Sequence, residues 1–195
     1  DASRALPGVE SAAIAASVPL DIHGLPMRLV TIEGRSDPGA GGDETLVNTV
    51  TPDYFKTMEI PLVAGRGFTD RDNQTAPKVV IINETAARKY FANENPIGLR
   101  FGTSVEQSSD LEIVGVLRDT KYEGVRQDAP ATMFVPSLQS RPATVFQVRT
   151  AGDPAPIVGA IREAVRQVDS GLPLMDVSTQ AEQIDKNLQQ ERVFA

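Results

Sequence analysis

The clearest period in this chain belongs to Ile157, Val158, Ile161, Ala164, Val165 and Val168. They recur every third or fourth residue, which places them on one face of an α-helix begun at Asp153-Pro154. Gly171-Leu172-Pro173 ends that helix, and the apolar run Leu174 to Val177 predicts a strand. Thr179 with Glu182 three residues on is a capping box, predicting a helix through Gln190. Upstream, Thr144 to Arg149 alternates: Val145, Gln147 and Arg149 fall on one side, Phe146 and Val148 on the other. A period of two predicts a strand.

Earlier segments are shorter and mostly strand-like. Strands are predicted at Val9 to Val18, closed by Pro19, at Met27 to Glu33, and at Thr45 to Val50. The composition of Ser36 to Asp43 makes it a loop. Thr51 as N-cap and Pro52 at the first helical position start a short helix with Tyr54, Phe55 and Met58 as its apolar face. Pro61 stops it, and Leu62-Val63-Ala64 reads as a brief strand. Lys78 to Ile82 is a buried strand, after which Asn83 caps a helix through Phe91 that buries Ala86, Ala87, Tyr90 and Phe91. Gly98 to Thr103 and Leu111 to Leu117 read as paired strands, followed by Thr132 to Val135. Asp1 to Leu6 reads as a helix end, so helix, Leu6-Pro7, strand echoes helix, Leu172-Pro173, strand.

This pattern predicts an α/β (α+β) chain of two lobes. The outer lobe is discontinuous, Asp1–Val50 plus Arg141–Ala195, and it holds an inserted lobe, Thr51–Ser140. Most of the aromatic residues, Tyr54, Phe55, Phe68, Tyr90, Phe91 and Phe101, fall in the inserted lobe and are expected to form its core. The ends read as cuts from a longer protein, because Asp1 starts inside a helix pattern and Arg192-Val-Phe-Ala195 stops as the chain turns apolar. No apolar run approaches the ~20 residues of a membrane-spanning helix.

Composition narrows the chemistry. A net charge of -7 over 195 residues argues against nucleic-acid binding, whose affinity comes largely from cations neutralising phosphates. With no cysteine, disulfides, thiolate metal sites and Cys nucleophiles are excluded. His23 is the only histidine, so a two-His metal site cannot form. It lies in the loop after Pro19, and no G-x-S-x-G elbow accompanies it. Gly65-Arg-Gly67 lacks the spacing of a phosphate loop and reads as a tight turn. Asp70-Arg71-Asp72-Asn73 offers too few ordered oxygens for calcium and reads as a solvated turn with an Arg–Asp pair. Asp110, Glu112, Asp119, Glu123 and Asp128 define no pocket for acid–base work. No catalytic, cofactor-binding or metal-ligating residue is expected.

Five motifs in order carry a resemblance. They are Val50-Thr-Pro-Asp-Tyr-Phe55, Gly65-Arg-Gly-Phe68, Val79-Val-Ile-Ile-Asn-Glu84 with Ala87 and Phe91, Asn95-Pro-Ile-Gly98, and Ile113-Val-Gly-Val116. Together they resemble the MacB-like periplasmic core domain of ABC-transporter permeases, with a spelling closest to the acidobacterial-type branch. The resemblance implies a porter-like lobe of βα units with an inserted smaller lobe, placed between the first two membrane helices of a permease. It implies no enzymatic activity in this chain and no cofactor. The implied partners are an ABC ATPase acting through those membrane helices, a permease dimer mate and a periplasmic adaptor. The implied location is the extracytoplasmic face of the bacterial inner membrane, and the implied role is transmission of conformational change. Two other classes compete: a stand-alone extracytoplasmic sensor, which needs a concave apolar pocket, and a carboxylate hydrolase, which needs two acids with opposed pKa shifts in one cleft.

Overall fold

A computed structural model describes residues 6–21, 24–32, 43–91, 94–104, 109–122, 124, 126–140, 143–171 and 174–193. The chain is mixed α+β. Its strands are β1 (Val9–Ala15), β2 (Met27–Ile32), β3 (Asp43–Val50), β4 (Leu62–Gly65), β5 (Val79–Asn83), β6 (Arg100–Gly102), β7 (Leu111–Leu117), β8 (Thr132–Pro136) and β9 (Val145–Thr150). Its helices are α1 (Tyr54–Thr57), α2 (Glu84–Phe91), α3 (Ala155–Val168) and α4 (Gln180–Val193).

Six of these strands close on themselves. Neighbours run β2-β6-β7-β5-β8-β3, and β2 pairs back onto β3 through Met27↔Leu46 to Val30↔Asp43. Closure leaves the ring without a free edge. β5 and β7 are parallel, as are β3 and β8; the remaining ring pairings are antiparallel. β4 pairs with β7 off this ring. Beyond β3 the ladder continues into β1 and then β9.

The strand alternation sorts the apolar residues onto two faces. Val30, Phe101, Ile113, Val116, Val80, Ile82 and Met133 join one cluster, with Val47 of β3 packed against it. Every strand of the ring contributes, so this cluster is the ring's interior. α2 adds Ala86, Tyr90 and Phe91 to it. The outward face of β5, β7 and β8, with Val79, Ile81, Val114, Leu117 and Phe134, packs under α1 and β1 through Tyr54, Phe55, Ala13 and Ala15. All six aromatics expected in the core are buried, split between these two clusters.

Asn83 explains how α2 is held. Its Oδ1 accepts from Ala86 N at 2.9 Å, the expected cap, and also from Thr132 N at 2.9 Å on β8. Its Nδ2 donates to the Pro130 carbonyl at 2.8 Å. One amide thus joins the start of α2 to the start of β8.

Some local expectations differ. Thr51 does not cap α1: Asp53 occupies that position, without a side-chain capping bond, and Thr51 Oγ1 accepts from Ile14 N at 2.9 Å. Leu174 to Val177 is not a strand; Met175 and Val177 are 75% and 49% exposed. Without it the Leu-Pro echo has no second strand, and Leu172-Pro173 itself lies outside the described residues. The capping box is present, with Glu182 N donating to Thr179 Oγ1 and Thr179 N to Glu182 Oε2. Asp1 to Ala5 lie outside the described residues. The β3–β8 and β2–β6 pairings cross the lines drawn at Val50/Thr51 and Ser140/Arg141.

Candidate functional site

The ladder is thinnest where β1 leaves the ring. β1 meets β3 at one register, Ala15↔Val50. The join is completed by Ala16 N donating to the Thr49 carbonyl at 2.8 Å, Thr51 N to the Ile14 carbonyl at 2.9 Å, and Ile14 N to Thr51 Oγ1. β1 pairs with β9 along its length, from Val9↔Thr150 to Ala15↔Val145. In backbone pairing the β1–β9 ribbon therefore joins the ring through a few residues, while Ala13 and Ala15 pack in the cluster beneath α1. β9 leads on through Asp153-Pro154 into α3. None of α3's residues is buried. Its predicted stripe is half-covered, and Val168 is exposed.

A buried polar network supports the junction. Asn48 Nδ2 donates to the Ser17 carbonyl at 2.9 Å and to the Tyr122 hydroxyl at 3.1 Å. Ser17 N donates to Asn48 Oδ1, and the Tyr122 and Tyr54 hydroxyls lie 2.8 Å apart. These bonds tie the exit of β1 to β3, α1 and the β7–β8 loop. Burial pushes the Tyr122 phenol up to about 12. Burial, reinforced by Tyr122, raises Tyr54 well above the ordinary phenol range. Both hydroxyls stay neutral at physiological pH, as a buried network without a counter-charge requires.

Arg149 holds the ribbon to α1. Its Nε donates to the Thr57 carbonyl at 2.7 Å, and its Nη1 lies 3.1 Å from Glu59 Oε1. Glu59 sits in the left-handed region at φ 53°, just past the helix end. Ile60 N donates back to the Phe55 carbonyl at 2.8 Å, closing the turn.

A second polar staple folds the segment after β4. Arg66 makes a two-pronged contact with Asp72, each arm 2.9 Å. Asp72 also accepts from Thr69 N and Thr69 Oγ1. Asp72 is thus buried rather than solvated, and its arginine is Arg66 of the Gly65-Arg-Gly67 turn, from outside the Asp70–Asn73 cluster. The Arg66 guanidinium, with help from the Thr69 N–H, holds the Asp72 carboxyl below the usual carboxylate range. A lowered folded pKa gives stability that is present above the unfolded value of about 3.9 and is lost as pH falls through the folded value. Asp72→Asn is therefore expected to melt below the parent at pH 7, with the gap closing towards pH 2. Melting curves at both pH values check this; a gap of constant size contradicts it.

The other candidate carboxylates are dispersed. Asp110 pairs with Lys78 at 3.2 Å, Glu112 with Arg100 at 3.1 Å, and Asp119 with Arg88 at 2.8 Å. Each of these three carboxylates has its own cation, Lys78, Arg100 or Arg88. Asp128 is exposed; Glu123 and His23 lie outside the described residues. A shallow depression of about 600 Å³ is lined by Asn73, Gln74, Ser137, Leu138 and Ser140. It opens widely to solvent and holds no titratable side chain. Sequence reasoning missed Asn48, Tyr122 and Arg149 as junction residues. The available signals were an amide inside the apolar strand Thr45 to Val50 and a cation ending an alternating one.

No helix among the described residues is long and apolar enough to cross a membrane. Among solved structures, the chain is similar to the periplasmic region of MacB from Actinobacillus actinomycetemcomitans, with a TM-score of 0.56 and 15% identity over 85% of this chain and 70% of that one. It is similar also to the extracellular domain of the noncanonical ABC-type transporter YknZ from Gram-positive bacteria, with a TM-score of 0.57 and 19% identity over 86% and 79% of the two chains. Those likenesses establish a shared fold. In sequence, the chain is 32% identical over 104 residues to the macrolide export ATP-binding/permease protein MacB of Syntrophobacter fumaroxidans, which covers 52% of this chain and 13% of that protein. It is 32% identical over 71 residues to the protein of the same name from Aggregatibacter actinomycetemcomitans, covering 36% of this chain and 11% of the relative. The chain thus spans only a small part of the curated relatives it matches. The family model described as the MacB-like periplasmic core domain matches residues 1–168, and the chain belongs to that family.

Proposed function

We propose that this chain is the part of an ABC-transporter permease that passes conformational change between membrane helices and extracytoplasmic partners or cargo. The observation that supports this reading is the narrow backbone junction between the β1–β9 ribbon and the closed ring, beside which Arg149 ties the ribbon to α1. A closed ring resists deformation, whereas a ribbon that shares backbone pairing with it at one end only, and otherwise rests on α1, can shift as a body. Flanking transmembrane helices outside this chain anchor it to the extracytoplasmic face of the inner membrane. An ABC ATPase drives those helices, and a permease dimer mate and a periplasmic adaptor receive the motion. One moving body is the part of the outer lobe, Asp1–Val50 plus Arg141–Ala195, that lies outside the ring; the other is the ring together with the inserted lobe, Thr51–Ser140. β2 and β3 travel with the ring.

Arg149→Ala separates coupling from catalysis. In the full-length permease with its ATPase, the variant is expected to keep ATP hydrolysis. Export of a macrolide, the cargo in both relatives' names, is expected to fall by about 2- to 30-fold, the range of a coupling loss. Wild-type export by the variant contradicts the role of Arg149.

A further inference from the structure

The polar atoms between α1 and the ribbon do not balance. Ser11, Ala13 and Ala15 face α1 from β1, and Arg149, Gln147 and Val145 face the same way from β9. Ser11 stands opposite Arg149, and Ala13 opposite Gln147. Ser11 and Gln147 are therefore diagonal neighbours, about 7 Å apart. Arg149 reaches the Thr57 carbonyl from this face, bringing the end of α1 to the same place.

Ser11 Oγ, Thr57 Oγ1 and Gln147 Oε1 are buried with no hydrogen-bond partner among the protein atoms. Their residues are 5%, 3% and 8% exposed. The Gln147 amide nitrogen is already used, donating to the Val145 carbonyl at 2.8 Å. Among the described residues one further side-chain atom is orphaned in this way, Asn187 Oδ1 on α4. Orphans on elements that pack against one another call for a partner beyond the protein atoms, because buried polar groups are otherwise satisfied. Two hydroxyls and an amide oxygen match one small ligand that both donates and accepts. An internal water needs two to four such partners.

We propose that the seam between α1 and the β1–β9 ribbon is an internal water site, bound by Ser11 Oγ, Thr57 Oγ1 and Gln147 Oε1. The water accepts from a hydroxyl and donates to the Gln147 oxygen. Bonds through water exchange partners at little cost, so the ribbon slides under α1 more easily than across a dry, interlocked contact. This inference goes beyond the transmission reading and stands without it, since the site belongs to the 195-residue chain alone.

The test compares amide hydrogen exchange in the 195-residue chain and in Ser11→Ala/Thr57→Val/Gln147→Leu, a variant that removes all three polar partners. In the unaltered chain, amides of β1 and β9 are expected to exchange faster than those of β5 and β7. In the variant, exchange of β1 and β9 is expected to slow by about tenfold, because the seam is then dry. Simple fraying of the ribbon would leave the rate unchanged, and an unchanged or faster rate in the folded variant overturns the proposal. A high-resolution crystal structure of the unaltered chain decides independently of whether the variant folds. A water within hydrogen-bond distance of at least two of the three atoms is expected, and a dry seam overturns the site.

Discussion

Phe134→Ala is expected to lower stability by about 3–5 kcal/mol, the range for deleting a fully buried aromatic ring. Phe134 is 1% exposed and lies on β8 under α1. Its ring meets Phe55 edge-on at 5.2 Å, and the rings of Tyr54 and Tyr122 at 6.4 and 6.3 Å. No neighbour can fill the space without leaving its own. Tyr54 and Tyr122 are held by their mutual hydrogen bond, and Phe55 by its packing on Phe68 at 5.8 Å. Domains of this size are stable by about 5–15 kcal/mol in total, so the variant stands near the limit of folding. Urea denaturation checks this through the midpoint at unchanged slope. A loss under about 1.5 kcal/mol contradicts a close-packed cluster there.

Gly65→Val is the second large effect, and its cause is backbone rather than core. Gly65 has φ 74° and stands opposite Gly115 in the β4–β7 ladder. A Cβ at Gly65 would lie 2.2 Å from the Val114 carbonyl oxygen and 2.9 Å from Gly115 Cα. Those atoms belong to a paired strand and cannot swing aside as a side chain does. The left-handed conformation costs a β-branched residue about 1–3 kcal/mol, and the collision adds a similar amount. β4 is expected to detach from β7, exposing Phe68 beyond it. Gly98→Ala is the control: φ is 85° but nothing lies within 4 Å of the added Cβ. It is expected to cost only about 1–2 kcal/mol, the conformational part alone. Equal losses at the two sites would remove the steric half of the argument.

What the sequence made legible was local. α3 follows from six apolar positions at a helical period, and the start of α4 from Thr179 and Glu182. Asn83 was readable as a cap because its signal and its partner lie three residues apart. Its second bond, to Thr132 N, joins residues 49 positions apart and leaves no local trace. Thr51 shows the same limit. Its hydroxyl is claimed by Ile14 N, 37 residues away, rather than by the helix it precedes. Leu174 to Val177 carries a strand-like run, yet apolar composition does not supply a partner strand, and the segment stays unpaired. Closure of the ring depends on β2 meeting both β3 and β6, a long-range choice that alternation within β2 cannot encode.

The junction was hidden for a related reason. Asn48 and Arg149 sit in segments that the pattern reads correctly as strands, and Tyr122 in the connection between β7 and β8. Their importance comes from convergence, across 74 residues for Asn48 with Tyr122 and 92 for Arg149 with Thr57. The family, by contrast, was legible because its motifs are spread along the chain in fixed order, and the family model matches residues 1–168, which include all of them.

The central claim is that the ribbon moves against the ring when the permease works. The most direct measurement is an electron-spin distance across the junction in the full-length permease with its ATPase. This chain contributes no cysteine, so labels can be placed at Glu10→Cys on β1 and Gln74→Cys beside the ring. A Met27→Cys/Gln74→Cys pair keeps both labels on the ring side and serves as the rigid reference. The account predicts that the Glu10–Gln74 distance distribution shifts between the nucleotide-free and ATP-bound states while the reference pair stays fixed. Identical Glu10–Gln74 distributions in the two states would contradict it.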